Sequence, residues 1–286
     1  MAPELGSAGR YTVAEGTDVV LYERAGRLVY LTLNRPERLN AFSPDQWTAL
    51  EAGLARANSD DEARVIIICG AGRAFSAGAD VRQREEGAYT QHRGDVVDDA
   101  INLHSTVDRY LHIFNNPKPI IAQIHGYCLG VASQLAVMCD ITVVAEDARI
   151  GLPSVPLGGG FISPMWSWLI GPKRAKEMSF TVGAQIDGMT ASDWGWANRA
   201  VPAAELESTV REMATRMANL PSKFLQLKKS SINRQMDIQG FSAAIRTGAE
   251  IDALLHFTDT ATIVRTSIRE KGLRDTIETF NAGNLV

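Results

Sequence analysis

Short apolar runs alternate with amphipathic stretches along the first two thirds of the chain. The runs Val65–Cys69, Ile120–Ile124 and Ile141–Ala145 are almost wholly apolar, which is typical of strands that are covered on both faces. Stretches whose apolar residues recur at helical spacing separate these runs. This alternation predicts an α/β core in which the strands pair in parallel.

A hairpin and a capped helix are predicted at the start of this core. The segments Val19–Tyr22 and Leu28–Leu33 are rich in β-branched, aromatic and leucine residues and flank a short gap, so they indicate two antiparallel strands. Ser43 then precedes a proline, and Gln46 follows three residues later, which is the pattern of a capping box. The apolar positions that predict the buried face of this helix are Trp47, Leu50, Leu54 and Ala57.

Two glycine-bounded turns stand at the starts of predicted helices. Phe75–Asp80 (FSAGAD) follows one strand, and the segment from Ile121 to Asp140 contains a second strand, a turn that includes Gly126 and Gly130, and an apolar helix over Leu129–Met138. A helix start leaves backbone N–H groups without partners in the helix, so they are available to a ligand. Two such turns can converge on one oxygen atom, which makes them the predicted functional centre.

The remaining segments of the core are a long helix and two loops. Asp95–Asn115 has a helical pattern, while Val81–Gly94 is charged and predicts a mobile surface helix or loop. Gly151–Gly160 is a glycine- and proline-rich loop, and Ile162–Ile170 is an apolar helical run that a Gly-Pro pair ends. The apolar side of the long helix is predicted to be Ile101, Leu103, Val107, Tyr110, Leu111 and Phe114.

The last third of the chain has no strand pattern. From Ala203 onward, helices are predicted over Glu205–Asn219, Ser222–Met236, Ile238–Leu255 and Ala261–Asn281. The chain therefore divides into a flexible N-terminal tail over 1–17, an α/β core over 18–201 and a helical region over 202–286. Because helices with broad apolar faces often dock on another subunit, we expect an oligomer.

Composition and charge narrow the function classes. The chain has 286 residues, 45% of them hydrophobic and 22% charged, which is an ordinary globular balance. Its net charge of −4 argues against nucleic acid as a partner. No apolar run approaches the roughly 20 residues that span a bilayer, and the N-terminus lacks an apolar signal core, so we expect a cytoplasmic protein. Cys69, Cys128 and Cys139 fit reduced, buried thiols.

Two kinds of cofactor site are not expected. The five histidines are scattered and none forms an HxxxH or HExxH pair, so no metal site is predicted. Gly70–Phe75 has the spacing of a dinucleotide-binding loop, but Phe75 replaces its third glycine. The pattern is weak even when complete, and we do not expect a nucleotide cofactor.

Four motifs together resemble a known family. They are NRPERLNAF (34–42), GAGRAFSAGAD (70–80), NPKPIIAQIHGYCLG (116–130) and LAVMCDITVVAEDARIGLP (135–153). Their order and spacing resemble the enoyl-CoA hydratase/isomerase (crotonase) family over about residues 18–281. The resemblance implies a crotonase (ClpP-like) spiral of ββα units with a C-terminal helical oligomerisation region. It also implies a homotrimer or a dimer of trimers.

The chemistry that the resemblance implies is activation of an acyl-CoA thioester. Two backbone N–H groups form an oxyanion hole for the thioester oxygen, and loss of one such donor costs on the order of 100- to 1000-fold in rate. Carried over by motif position, the donors are Ala77 and Val131. The resemblance implies no permanently bound cofactor, since coenzyme A enters as part of the substrate.

The resemblance also places the coenzyme A beside the first turn. The residues that it assigns to coenzyme A or substrate binding are Ala74, Phe75, Ala77, Gly78, Ala79, Asp80 and Gly130. Arg35 and Arg38 are candidate phosphate contacts, with a solvated basic loop as the alternative. Asp80 is predicted to cap its helix rather than to touch the substrate.

The chain departs from the family where hydratases carry two glutamates. Gln134 and Ser154 occupy those two positions, and the position of a further acid in some isomerases falls near Phe161 and Ile162, which are apolar. An amide takes up no proton near neutral pH, and a serine needs a partner base. Hydration by two glutamates is therefore not expected.

Three interpretations remain open at this point. The chain is an acyl-CoA enzyme with an acid/base group from elsewhere, a non-catalytic acyl-CoA-binding module, or a true hydratase or isomerase with a rearranged site. The side chains considered for the acid/base role are Asp98, Asp99, His104, His125, Tyr127 and Cys128. Ser154 as a nucleophile lacks the GxSxG turn. Four tryptophans, Trp166, Trp168, Trp194 and Trp196, are concentrated in one stretch. Trp166 and Trp168 follow the glycine-rich loop and either wall an acyl pocket or pack in the interior or at a subunit contact.

Overall fold

The computed structural model describes residues 11–14, 17–80, 94–158 and 162–285, with side chains from 18–80, 94–158 and 165–285. Most of the charged segment predicted after Asp80 and the position of Phe161 lie outside these residues.

In chain order, the strands are β1 Tyr11–Ala14, β2 Thr17–Ala25, β3 Leu28–Leu33, β4 Val65–Gly70, β5 Ile120–Ile124, β6 Tyr127–Leu129, β7 Ile141–Ala145, β8 Arg149–Gly151, β9 Gln185–Asp187 and β10 Arg199–Val201.

Seven strands form one mixed sheet in the order β1-β2-β3-β4-β5-β7-β10. The first three pair antiparallel, and every later neighbour pair, from β3 with β4 to β7 with β10, is parallel. The predicted hairpin and the predicted parallel core are therefore confirmed. The strands β6, β8 and β9 form a second, three-stranded sheet, in which β6 and β8 are parallel.

The helices are α1 Pro44–Ser59, α2 Val96–Phe114, α3 Val131–Met138, α4 Ile162–Phe180, α5 Gly188–Trp194, α6 Leu206–Met217, α7 Ser222–Ile238, α8 Phe241–His256 and α9 Asp259–Asn281. A helical break interrupts α4 at Gly171, as the Gly-Pro pair predicts, and α9 at Gly272, where φ is 81°. The ββα unit that the family resemblance implies is present where β5, β6 and α3 follow one another in the chain. The four C-terminal helices agree with the prediction to within a few residues.

The start of α1 shows how one prediction is only partly right. Ser43 Oγ accepts a hydrogen bond from the Gln46 backbone N–H at 3.2 Å, so the cap is present. The Gln46 side chain does not complete the capping box, because its Nε2 donates to the Val19 carbonyl at 3.3 Å. The glutamine therefore connects the helix to β2.

The core lies between the large sheet and the helices. Central strand residues such as Leu31, Ile67 and Ile121 have no exposed surface, as expected for strands that are covered on both faces. Burial of this apolar surface is the main force that holds sheet and helices together. The sheet therefore provides a rigid frame whose strand ends position the turns described below.

Three local predictions are wrong. The predicted tail contains β1, which pairs with β2. The apolar helix starts at Val131 and not at Leu129, because β6 occupies the three residues before Gly130. Ile101 is 60% exposed, although its spacing fits the apolar side of α2. Hydrophobic periodicity identifies an apolar position but does not say whether an element of the same chain covers it.

Buried polar contacts attach the helical region to the core. Lys229 on α7 places its Nζ 2.8 Å from Asp140 Oδ2, and the Asn233 amide donates to the Phe114 carbonyl at 2.7 Å. The last strand of the described residues is β10, which ends at Val201. Within the described residues, no helix is long and apolar enough to cross a membrane.

Candidate active site

The two predicted turns lie side by side and share backbone hydrogen bonds. Ser76 forms a parallel bridge with Cys128. The Ser76 N–H donates to the Tyr127 carbonyl at 2.8 Å, and the Leu129 N–H donates to the Ser76 carbonyl at 3.2 Å. The FSAGAD turn is thus a short extra strand beside β6, which fixes its position relative to the start of α3.

Two glycines allow the closest approach of these turns. Gly78 has a φ of +98°, and a Cβ on it would lie 2.7 Å from the Leu129 carbonyl oxygen and 3.8 Å from the Gly130 Cα. Gly130 also has a positive φ, of +51°. Only glycine adopts such a backbone freely and leaves this space. The two backbone segments that lead into Ala79 and Val131 therefore approach each other at these glycines.

The hydrogen bonds of these turns leave two N–H groups for a ligand. Gly78 N–H donates to Ser76 Oγ, Asp80 N–H to the Phe42 carbonyl, and Gly130 N–H to the Gly151 carbonyl. Within the part of the chain that the structure describes, the N–H groups of Ala79 and Val131 have no acceptor. Val131 is the first residue of α3, where an N–H has no partner in its own helix.

The prediction of Ala77 as an oxyanion donor does not fit this geometry. The Ala77 N–H donates to the Leu39 carbonyl at 2.9 Å, so the supporting loop already holds it. Consecutive residues of an extended segment direct their N–H groups to opposite sides, and because the Asp80 N–H donates to the Phe42 carbonyl of the supporting loop, the Ala79 N–H points away from that loop. Among the described residues, the Ala77 N–H thus has an acceptor, whereas the Ala79 N–H has none.

A buried asparagine that the sequence analysis missed supports the first turn. Asn40 has no exposed surface and a φ of 53°, a conformation that asparagine tolerates better than most residues. Its Nδ2 donates to the carbonyls of Ala71 and Ala74 at 2.8 Å each, and its Oδ1 accepts from the Arg35 N–H. The NRPERLNAF motif contained the signal, since an internal asparagine after a 3₁₀ turn is typical of a left-handed position.

Arg35 and Asp80 form a buried ion pair across the two loops. Arg35 Nη2 lies 2.7 Å from Asp80 Oδ2, with 13% and 7% of the side chains exposed, and Arg35 Nη1 donates to the Ala41 carbonyl. Arg35 therefore already has two partners among the described residues, whereas the segment that Asp80 is predicted to cap begins outside them. Arg38, the second predicted phosphate contact, is exposed and remains open to a ligand.

The two positions where hydratases carry glutamates border the start of α3. Gln134 lies one turn after Val131 and is 2% exposed, and its Oε1 has no hydrogen-bond partner within the described residues. Ser154 is half-buried and follows Pro153. The proline packs on Gly130, where an added Cβ would lie 3.7 Å from the Pro153 Cγ. Neither side chain carries a titratable group near neutral pH.

His125, a candidate acid/base residue, supports the first turn. Its Nε2 lies 2.9 Å from the Gly72 carbonyl oxygen, and its own carbonyl accepts from the Phe75 N–H at 2.8 Å. The next residue, Gly126, packs so closely on the Arg73 carbonyl that a Cβ there would overlap with it. The histidine therefore helps to fix the chain between β4 and the turn.

The other acid/base candidates have different partners. Asp98 belongs to the capping box of α2, and His104 Nε2 lies 3.6 Å from Glu250 Oε1 on α8. Cys128 is fully buried, and burial raises the pKa of its thiol well above the usual value, so it stays protonated. Tyr127 is half-buried. Asp99 pairs with a histidine of α8 that the sequence analysis did not select.

The tryptophans pack against other side chains. The rings of Trp166 and Trp196, which are 0% and 3% exposed, have centroids 5.4 Å apart. The rings of Trp168 and Phe241 pack edge to face, with centroids 5.5 Å apart. The Arg174 guanidinium lies over the Trp194 ring. These contacts favour the packing interpretation over the acyl-pocket wall. Among the described residues, no group of three or more His, Cys, Asp and Glu side chains is arranged to hold a metal ion.

Comparison with known proteins shows which family this chain is similar to. Residues 23–276 match the family model described as enoyl-CoA hydratase/isomerase. The chain is 30% identical over 256 residues to a short-chain-enoyl-CoA hydratase from Clostridium acetobutylicum, which covers 84% of this chain and 94% of that protein.

Solved structures of similar chains have the same fold. A chain from Novosphingobium aromaticivorans assigned to the enoyl-CoA hydratases/isomerases is 40% identical, with a TM-score of 0.85 over 92% of this chain and 95% of that chain. An enoyl-CoA hydratase/isomerase from Xanthobacter autotrophicus is 29% identical, with a TM-score of 0.86 over 93% of this chain and 98% of that chain. The chain therefore belongs to the enoyl-CoA hydratase/isomerase (crotonase) family.

Proposed function

We propose that this protein binds an acyl-CoA thioester and stabilises negative charge on its carbonyl oxygen with the N–H groups of Ala79 and Val131. The observation that carries the proposal is the pair of adjacent turns described above. Among residues 77–80, 130 and 131, only the N–H groups of Ala79 and Val131 lack an acceptor within the described residues. Fixed donors in a site that excludes water stabilise a developing oxyanion strongly. The positive end of α3 adds to this effect at Val131.

The reaction proceeds without the two glutamates of the hydratases. Gln134 and Ser154 can hold a water molecule or a substrate hydroxyl by hydrogen bonds, but neither accepts a proton near neutral pH. Charge stabilisation with an oriented water suits thioester hydrolysis, carbon–carbon bond hydrolysis or decarboxylation. These reactions need less acid/base assistance than hydration of a double bond.

The coenzyme A lies along the first turn, with its phosphates outside the buried Arg35–Asp80 pair. Gly72 packs closely on Pro36, because a Cβ added to the glycine would lie 2.8 Å from the proline Cβ. The neighbouring side chains Arg38 and Arg73 are both exposed and flank this contact. Two guanidinium groups at the rim of the turn are suited to bind phosphate groups.

A crotonyl-CoA assay tests the proposed departure from hydration. Purified protein is incubated with crotonyl-CoA, and the loss of the conjugated double bond is followed by absorbance. We expect no turnover at rates that are normal for enzymes. Turnover at such rates would show that the site rearranges to hydrate the substrate.

A second experiment separates an enzyme from a binding module. A panel of acyl-CoA thioesters is incubated with the protein, and products are identified by mass spectrometry. We expect product from at least one thioester. Tight binding across the panel without any product would instead support a module that holds acyl-CoA.

The double variant Gln134→Glu, Ser154→Glu tests whether restored carboxylates give hydration on the same scaffold.

A further inference from the structure

A second, smaller apolar cluster joins a loop of the candidate active site to the last helix. Val155, in the loop after β8, packs there with Val264 and Ile268 of α9, and the three residues are 3%, 0% and 2% exposed. Within the described residues, this α9 cluster shares no member with the main core beside the large sheet. The half-buried side chains that complete it are Leu157, Leu273, Ile277 and Leu285.

Helix α9 bends sharply to form this cluster. Its backbone breaks at Gly272, and across the break Ser267 Oγ lies 3.0 Å from Thr276 Oγ1, with both residues buried. The bend brings side chains from both halves of the helix into the same cluster. Val264 and Ile268 are the two large apolar side chains of α9 that are fully buried, so the docking of the helix depends mainly on them.

The loop residue Ser154 lies between two apolar anchors. Leu152, which is 7% exposed, belongs to the main core, whereas Val155 belongs to the α9 cluster. Between these anchors, Pro153 packs on Gly130, directly before the start of α3. Release of Val155 would therefore free the loop on one side of Ser154, next to the proposed oxyanion donors.

We propose that Val264 and Ile268 are positioning residues for the acyl-CoA site, because they hold Val155 and thereby keep Pro153 and Ser154 against the start of α3. This inference rests on the proposed binding of acyl-CoA thioesters. A small peripheral cluster opens more readily than a main core, and elements that respond to ligands are drawn from such regions. Because coupling is reciprocal, docking of α9 favours thioester binding, and a bound thioester favours docking of α9.

Hydrogen exchange of the unaltered protein tests this coupling first. Amide exchange of the whole chain is followed by mass spectrometry without ligand and with saturating butyryl-CoA or decanoyl-CoA. A bound thioester is expected to slow exchange over residues 259–281 at least several-fold, since each opening of α9 then also weakens binding. This measurement needs no substitution and is independent of how any variant folds.

Two substitutions of one residue and a control assign the coupling to the α9 cluster. Ile268→Ala is expected to speed exchange of α9 and to raise the dissociation constant of the thioester by about 5- to 150-fold, the usual range of coupling between sites. Ile268→Val keeps most of the side chain and is expected to restore most of both properties. Ile263→Ala, the same truncation at a 41% exposed position of α9, is expected to change neither.

A purely structural role of Ile268 would speed exchange of α9 without weakening binding, and that result in Ile268→Ala would overturn the inference. Exchange of α9 that does not respond to bound thioester, or that stays unchanged in Ile268→Ala, would overturn it as well. In these cases the proposed function stands, because the unaltered protein still binds the thioester. If the unaltered protein binds neither butyryl-CoA nor decanoyl-CoA, the proposed function fails together with the inference.

Discussion

At the scale of single residues, the site depends on which backbone N–H groups remain available. Ala77 and Ala79 differ by two positions in one motif, and their side chains are identical. The Leu39 carbonyl occupies the N–H of Ala77, whereas that of Ala79 has no acceptor within the described residues. The assignment of the donor therefore depends on hydrogen bonds between distant segments.

Asn40 is predicted to be the residue that holds the first turn in place. Replacement by alanine removes the donors to the carbonyls of Ala71 and Ala74, which lie in a buried region. Asn40→Ala is expected to lower the free energy of unfolding by about 2 kcal/mol, as for unpaired buried groups, and to weaken acyl-CoA binding. Chemical denaturation and calorimetric titration measure the two effects.

A glycine variant separates the two roles of this asparagine. Asn40→Gly also loses the side-chain hydrogen bonds, but glycine adopts the left-handed backbone without strain. We expect both variants to weaken binding to a similar extent because both lose the same contacts. If Asn40→Gly bound acyl-CoA as the unaltered protein does, the backbone conformation and not the hydrogen bonds would hold the turn.

At the scale of elements, periodicity and capping signals predicted most of the fold. The apolar strands, the cap at Ser43 and the stop at Gly171 follow from local chemistry, and all are present. The short strands β6, β8 and β9 were not predicted, because three residues carry too little pattern. Their positions depend on pairing with one another, which is why the sequence placed the start of α3 two residues too early.

The contact between α7 and the core gives a prediction about stability. Burial raises the pKa of Asp140, and the Lys229 ammonium group opposes this rise. Lys229→Met leaves the carboxylate largely buried without its cation, so we expect a loss of about 3 kcal/mol in the free energy of unfolding at neutral pH. Urea denaturation measures the loss, and Lys228→Met, an exposed neighbour, is the control.

The same variant has a defined pH dependence. Without Lys229, the pKa of Asp140 in the folded state rises further above its value in the unfolded chain. A raised pKa means that the folded state binds the proton more tightly, so the cost of the buried charge is present above the raised pKa. The deficit of Lys229→Met is therefore expected to shrink as the pH falls through that pKa. A deficit that is constant with pH would show that lost packing, not charge, is responsible.

At the scale of the whole molecule, the helical region presents an unusual apolar surface. Phe224, Leu227, Ile232 and Ile238 of α7 are all at least 60% exposed. Apolar surface of this extent is typical of a subunit contact. We propose that it joins copies of this chain into a homotrimer or a dimer of trimers, as the family resemblance implies. Sequence and fold predict that a partner covers this face, but one chain does not show how many copies assemble.

A charged substitution on this surface tests the assembly. Leu227→Glu is expected to shift the protein to a smaller species, because burying an unpaired carboxylate at a subunit contact is unfavourable. Sedimentation velocity at several protein concentrations measures the change. Gln226→Glu, at the neighbouring exposed position, is the control and is expected to leave assembly intact. A monomeric unaltered protein would contradict the proposal.

The proposed oxyanion hole polarises the thioester carbonyl, so the vibrational frequency of that carbonyl in a bound thioester tests the whole site. Val131→Pro removes the N–H at the first position of α3, where proline is well tolerated, whereas Val131→Ala keeps the N–H and removes the branched side chain. Isotope-edited infrared spectroscopy follows the carbonyl stretch of a saturated acyl-CoA labelled with carbon-13 at the thioester. We expect a lower frequency than in solution for the unaltered protein and Val131→Ala, and loss of most of that shift in Val131→Pro. A solution-like frequency in the unaltered protein, or an undiminished shift in Val131→Pro, would contradict it.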